Sequence, residues 1–280
     1  MEHYGVIGLA CVLARCAGRV PHPWATERAQ RMAGHSHWAR IRRAKAVTDA
    51  RRGRTWSKLA RALIVAARQG GGDPDSNLNL RYAMDAARAA NMPKDTIERA
   101  IKKGTGGLAG EQFEELQFEG YGPGGVALLI RVLTDNRNRT APGIRRIFEL
   151  HGGNLGAANS VAWMFRPRGL FTIPAGQASE DRLTEIALET GADDVRAVGD
   201  AFELSCDPGV YERVRQALRQ ANITPENAEI AMTPASTVAL EGELAERVAK
   251  LIEELEEHED VQKVFSNFEM SEADLARLAQ

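Results

Sequence analysis

Ten basic residues crowd the 41 positions from Met32 to Gly72, against a single acid, Asp49. They are Arg40, Arg42, Arg43, Lys45, Arg51, Arg52, Arg54, Lys58, Arg61 and Arg68. Guanidinium groups offer planar, bidentate donors that match phosphate and also stack on bases. With Trp38 and Trp56 interspersed, this composition suits a surface that tracks a nucleic-acid backbone. On a helix beginning at Ser36 and ending at Gly53, these cations fall all around the wheel. Such a helix repels itself unless a counter-charged partner meets it. The plainer alternative is a solvated helix with no partner. If about five of these groups touch phosphate, log K should fall against log salt with a slope of about −4 to −5.

Other constellations carry weaker chemistry. Asp135-Asn136-Arg137-Asn138-Arg139-Thr140 follows an apolar run and leads into a helix. Its Asn and Asp favour a turn and cap, and Arg137 and Arg139 would project at the helix start as contact residues. Glu119 to Gly125 (EGYGPGG) lacks the Gly-Lys-Ser/Thr ending of a phosphate loop and precedes a strand, so it reads as a tight turn. His151 to Gly156 reads as a helix end and turn. The carboxylates from Glu253 to Asp260 read as a solvated face. His35 and His37 have no nearby carboxylate or thiol to complete a metal site. No nucleophile elbow, zinc-protease or Cys-x-x-Cys pattern occurs, so neither an enzyme nor a cofactor is expected.

The formal charge of −2 conceals an asymmetry. Residues 1–110 hold 20 Lys and Arg against 8 Asp and Glu, a net of +12; residues 111–280 hold 16 against 30, a net of −14. Charge divided in this way points to a polyanion met by the N-terminal part. Cys11, Cys16 and Cys206 are too few and too scattered for a disulfide framework, which suits a reducing compartment. No apolar run reaches the ~20 residues of a membrane helix. In residues 1–31 the arginines follow the apolar run Val6–Ala14 instead of preceding it, unlike a signal peptide. This segment reads as an upstream extension outside the fold, with Met32 as the natural start.

The elements that must position the basic stretch follow from periodicity. Trp56, Leu59, Leu63 and Ile64 make the core stripe of a helix over 55–69. Gly70-Gly71-Gly72-Asp73-Pro74 stops it. Helices are expected over 77–91 and from Pro93 to Gly104, with Glu98 and Lys102 as an i,i+4 pair. The basic helical domain therefore spans 32–110, ending in a Gly-rich linker. Beyond it the predicted elements are strands at 126–133, 160–165, 169–173, 195–198, 201–206, 229–232 and 261–265. Helices are expected from Thr140, over 179–190 and 210–221, and over Glu243–Glu257. Two β-α-β units, one around the helix at 140 and one around the helix at 243, suggest a split ferredoxin-like sheet. It would be formed by 111–167 together with 227–280, with an α+β domain, 168–226, inserted. Three sequential domains are the alternative. The fold class is α+β and multidomain: a helical N-terminal domain followed by two ferredoxin-like α/β domains.

The segments MAGHSHWARIRRAKAVTDARRGRTWSK, AARQGGGDPDSN, NMPKDTIERAIKKG, EGYGPGG, DNRNRT, GGNLG and DVQKVFSN occur in order from Met32 to near the C-terminus. In these the chain resembles the YebC/PmpR family. The resemblance implies a cytoplasmic, non-enzymatic regulator of gene expression. Its targets would be DNA, as a transcriptional regulator, or ribosomal RNA, as a ribosome-associated factor that relieves proline-rich stalls. It carries over Arg40, Arg42, Arg43, Lys45, Arg51, Arg52 and Lys58 as the basic opening motif. His37 stands where the family usually has Lys, and Ala141-Pro142-Gly143 stands where a better helix former with an acidic residue is more common. A protein–protein adaptor docking through the acidic helix Glu243–Glu257 is the alternative from a different class. No small-molecule substrate and no membrane partner is expected.

Overall fold

The computed structural model describes residues 49–106, 113–270 and 274. The first helix, α1 (Asp49–Gly70), is continuous through Gly53, where the sequence suggested a break. A lone glycine weakens a helix by about 1 kcal/mol relative to Ala but does not stop it without a following turn signal. That signal comes at the three glycines, where α1 ends and Gly71 takes a positive φ of 86°. Asn77 caps α2 (Leu78–Ala89) by accepting from the Leu80 amide at 3.1 Å, and its own amide donates to the Ala66 and Gly71 carbonyls. Pro93 precedes α3 (Lys94–Gly104), in which Glu98 pairs at 3.7 Å with Lys94, one turn before it, where the sequence suggested Lys102, one turn after it. Leu63 and Ile64 are buried against Leu80, Met92 and Ile97, and Trp56 and Leu59 pack at the margin. Full burial of a Leu or Ile contributes about 1.5–3 kcal/mol, and this stripe holds the three helices together.

An antiparallel sheet follows: β1 (Glu114–Tyr121), β2 (Ala127–Thr134), β3 (Asn154–Leu155) and β9 (Val261–Ser266), in the order β3-β1-β2-β9. Helices α4 (Arg137–Leu150) and α7 (Gly242–Glu257) cover one face, packing on Leu128, Ile130 and Val132. EGYGPGG is the β1–β2 turn, with Gly124 and Gly125 at positive φ. Gly153 lies so close to β1 that a Cβ would sit 2.7 Å from the Tyr121 carbonyl oxygen, which is what lets β3 pair there. The Asn267 side chain locks the β2 start, accepting from the Ala127 amide at 2.8 Å.

The second antiparallel sheet contains β4 (Phe165–Pro174), β5 (Asp194–Val198), β6 (Ala201–Cys206) and β7 (Asn227–Pro234), in the order β5-β6-β4-β7. With α5 (Glu180–Thr190) and α6 (Tyr211–Gln220), this is the split β-α-β ferredoxin-like arrangement. Two strand expectations change here. The segment 160–164 is turn and 3-10 helix, and the strand runs unbroken through Pro167. At Pro167 β4 is paired only with β7, because the β6 ladder begins at Gly169, so the missing N–H faces an unpaired edge. The strand 227–234 joins this second sheet beside β4; the β-α-β unit expected around α7 does not form with it. Short strands β8 (Val238–Leu240) and β10 (Phe268–Met270) pair in parallel beside the first sheet's core. The protein is thus a helical N-terminal region followed by two antiparallel-sheet α/β domains.

Candidate nucleic-acid interface

Arg54, Lys58 and Arg61 recur at i, i+4 and i+7, so they share one side of α1. That side lies along the acidic end of α7. Arg54 reaches Glu257 at 3.7 Å, and the Lys58 ammonium donates to the Glu256 carbonyl oxygen. Arg61 donates to the Glu259 carbonyl oxygen at 2.6 Å and to Asp260 Oδ1 at 2.9 Å. Its guanidinium also stands 5.6 Å from the Phe113 ring centre.

Asp260 is the hub. The carboxylate is fully buried, although the sequence suggested a solvated face for Glu253–Asp260. It opens the DVQKVFSN segment at the start of β9, and no periodicity marks a lone buried acid at a strand entry. Thr140 donates its hydroxyl to Oδ2 at 2.7 Å, and Arg139 Nη2 approaches Oδ2 at 3.3 Å. Burial alone would raise the Asp260 pKa. The Thr140 and Arg139 hydrogen bonds and the charges of Arg61 and Arg139 outweigh it and hold the carboxyl below its ordinary value.

The DNRNRT segment delivers these donors. Asn136 caps α4 by accepting from the Arg139 amide at 3.2 Å, so the helix starts at Arg137, three residues before the expected Thr140. This start turns Thr140 inward. Arg139 also bonds Asp135 at 2.8 Å, while Arg137 is exposed in the same turn. Pro142 and Gly143 are carried inside α4, and a Cβ on Gly143 would come 3.1 Å from His258 Nε2. Burial lowers the His258 pKa against the opposing pull of Asp260 and Glu259, and its Nδ1 accepts from the Asp260 amide at 3.2 Å. The imidazole is therefore neutral at pH 7.

A second contact fixes the helical domain from the side. Tyr82 on α2 donates to Glu212 on α6 at 2.6 Å, and Arg215 reaches Asp85 at 3.0 Å. The helical domain therefore touches both α/β domains.

Of the sequence-derived contact residues, the structure brings Arg61 and Arg139 together on Asp260, with Arg54 and Lys58 beside them. Arg137 stands at the edge of this group. Arg51 and Arg52 are on α1, but their side chains lie outside the described residues, as do Arg40, Arg42, Arg43, Lys45 and the segment 1–31. Among the described residues there is no cluster of metal-ligating side chains and no helix long and apolar enough to cross a membrane.

Residues 36–107 match the model of the TACO1/YebC protein N-terminal domain, and residues 113–268 match that of the TACO1/YebC second and third domain. A probable transcriptional regulatory protein of Pelotomaculum thermopropionicum is 51% identical over 243 residues, 86% of this chain and 100% of that one. Its counterpart in Carboxydothermus hydrogenoformans is 49% identical over 242 residues, 85% and 99% of the two chains. A crystal structure of a conserved hypothetical protein from Aquifex aeolicus superposes with a TM-score of 0.73 at 47% identity, covering 80% of this chain and 93% of that one. Matched in its helical domain and in both α/β domains, the chain belongs to the TACO1/YebC family.

Proposed function

We propose that this protein is a non-enzymatic regulator of gene expression that binds nucleic acid through the phosphate backbone, using the basic segment around residues 40–52. The observation that carries this reading is the division of labour along α1. Arg54, Lys58 and Arg61 meet the 256–260 segment, which orients the helix. The excess positive charge then falls N-terminal to them: Arg40, Arg42, Arg43, Lys45, Arg51 and Arg52, with Asp49 the one acid among them. Arg137 extends the same basic edge, because Arg139 in its turn and Arg61 of α1 share Asp260. The names of the relatives, probable transcriptional regulatory proteins, support a regulatory role.

Contacts of this kind position a protein by phosphate and groove shape without reading base edges. The partner is a structured nucleic acid, DNA or ribosomal RNA. The adaptor reading is weakened by what the acidic helix already does: Glu254 holds His151 at 2.6 Å and Glu257 faces Arg54.

The test is the Arg42→Ala, Arg43→Ala, Arg51→Ala, Arg52→Ala quadruple variant. Its affinity should fall for every sequence tried, and its salt slope should flatten from about −4 or −5 by up to about 4 units. Unchanged binding would falsify the reading. Co-sedimentation with ribosomes, with and without DNase, separates the two nucleic-acid targets. Pull-downs that survive nuclease and deletion of residues 32–54 would favour the adaptor.

A further inference from the structure

At the far end of the first sheet, Trp163 is 74% exposed and Tyr121 38% exposed. The two rings stand close together, because both bond the same backbone carbonyl, that of Ser160. Their mount is unusually firm. The Glu119 carboxylate is buried and accepts the backbone amides of Asn159, Val161 and Ala162 at 2.8, 2.7 and 2.8 Å. The Glu119 carbonyl oxygen accepts the Gly156 amide at 2.7 Å. Val161, next in the loop, is fully buried between the two sheets. Both aromatic polar groups turn inward to one acceptor: the Tyr121 hydroxyl donates to the Ser160 carbonyl at 2.9 Å and the Trp163 indole N–H donates to it at 3.1 Å. With its N–H committed, the indole offers solvent only its carbon surface, on a loop whose backbone is already held.

A cation, Arg131, lies on the same face of the sheet, beyond the buried Glu119 and Leu129 and 5.5 Å from the Phe265 ring centre. Side chains alternate across the sheet. Leu128, Ile130 and Val132 face the helices, so Arg131 projects from the other face. On β1, whose Leu116 and Phe118 pack against the same helices, Glu119 and Tyr121 therefore share the Arg131 face. Arg131 is exposed, and its register partners are Gln117 and Lys263. It stands four residues along the strands from Tyr121, about 13 Å. The Thr134–Asp260 corner that holds α1 lies at the other end of these eight-residue strands, about 24 Å away.

We propose that Trp163 and Tyr121 form a stacking platform for an unpaired base, with Arg131 meeting the backbone phosphate that leads to it. This rests on the phosphate-binding reading above and adds a second, single-strand-selective site. Stacking needs only a face, every base has one, and each stacked base strengthens binding with little sequence preference.

The experiment uses the full chain with three fluorescein-labelled probes at one fixed salt: a single strand of roughly 12 nucleotides, a blunt duplex, and the duplex with a single-stranded tail. Trp163→Ala should weaken binding to the single strand and the tailed duplex by about 5- to 100-fold. Its blunt-duplex affinity should stay within about twofold, because those phosphates meet the basic edge. Trp163→Phe should restore most of the loss, and Arg131→Ala should lower single-strand affinity several-fold. Trp163 lies on the surface, so truncation should leave the melting temperature unchanged, which a thermal scan verifies.

Equal loss on blunt duplex and single strand would overturn the platform, as would no loss on the single strand. Loss of ribosome co-sedimentation with all oligonucleotide binding intact would assign the face to protein contact and overturn it too. If wild-type protein binds the blunt duplex but not the single strand, the platform falls and the phosphate-binding reading stands. If it binds none of the probes, both fall.

Discussion

Asp260→Asn keeps the side-chain shape and removes the charge that Arg61, Arg139 and Thr140 face. A hydrogen bond to a charged acceptor contributes about 1.5–3 kcal/mol against about 1 for a neutral one, so the Thr140 bond weakens by about 0.5–2 kcal/mol. Arg139 is 49% exposed, so solvent screens its share and it adds little. Arg61 is only 18% exposed and pairs at 2.9 Å, so it loses somewhat more than a surface pair would. Together the variant should weaken this corner by about 2–4 kcal/mol, a factor of about 30 to 800. Amide hydrogen exchange reads the effect locally, which matters in a chain of several domains that need not unfold in one step. Exchange in the Arg54–Arg61 part of α1 and at the start of β9 should accelerate by that factor. The β5–β6 hairpin, in the other sheet, should not change. In a double-mutant cycle with Arg61→Met, the coupling should be at least about 1 kcal/mol. Exchange in α1 within threefold of wild type, or fully additive effects, would refute the view that Asp260 docks the helix.

Three other outcomes are expected, besides the salt-slope test of the basic segment. The His258 pKa is lowered in the fold, so its contribution is full above the ordinary value of about 6.5 and is lost as pH falls through the folded value. The melting temperature should therefore drop between about pH 7 and pH 5, and His258→Asn should flatten that drop; an unchanged pH profile would assign it to other groups. Glu119→Gln leaves one acceptor oxygen for three amides and should cost about 1.5–3 kcal/mol, read as faster exchange across residues 157–164. Burial raises the Glu119 pKa, but those amides overcome it and hold it low, so in wild type this loop should loosen only below about pH 4. Gly153→Ala places a Cβ against the Tyr121 backbone and should cost about 1–3 kcal/mol in melting experiments, whereas Gly176→Ala, with open space around it, should be neutral.

The helical region was legible because its signals are local: the Trp56–Ile64 stripe, the triple glycine and Pro93 each act within one or two turns. The strand partners were not. Nothing within residues 227–234 says which sheet they join; that is decided by β4, some sixty residues earlier in the chain, whose identity was hidden by reading Pro167 as a break. The strand at 114–121 was not among the expected elements, and its last three residues were read as part of a glycine turn, though Leu116 and Phe118 alternate with polar residues as a strand's do. At the candidate interface the cations could be read from composition, but their carboxylate partners could not. Arg61 and Asp260 look like two unrelated surface charges until the fold brings them together. Gly53 erred the other way: a lone glycine was read as a stop where no turn signal follows it.

The Arg61–Asp260 contact joins positions 199 residues apart, and Lys58 meets Glu256 across 198. Chains are made at about 5–20 residues per second, so roughly 10 to 40 s separate the synthesis of these partners. Throughout that interval the cations of α1 have not met the 256–260 segment. Until residues 256–260 are made, the side of α1 that carries Arg54, Lys58 and Arg61 has no segment to dock against, and completing that segment is the step that gives α1 its fixed direction.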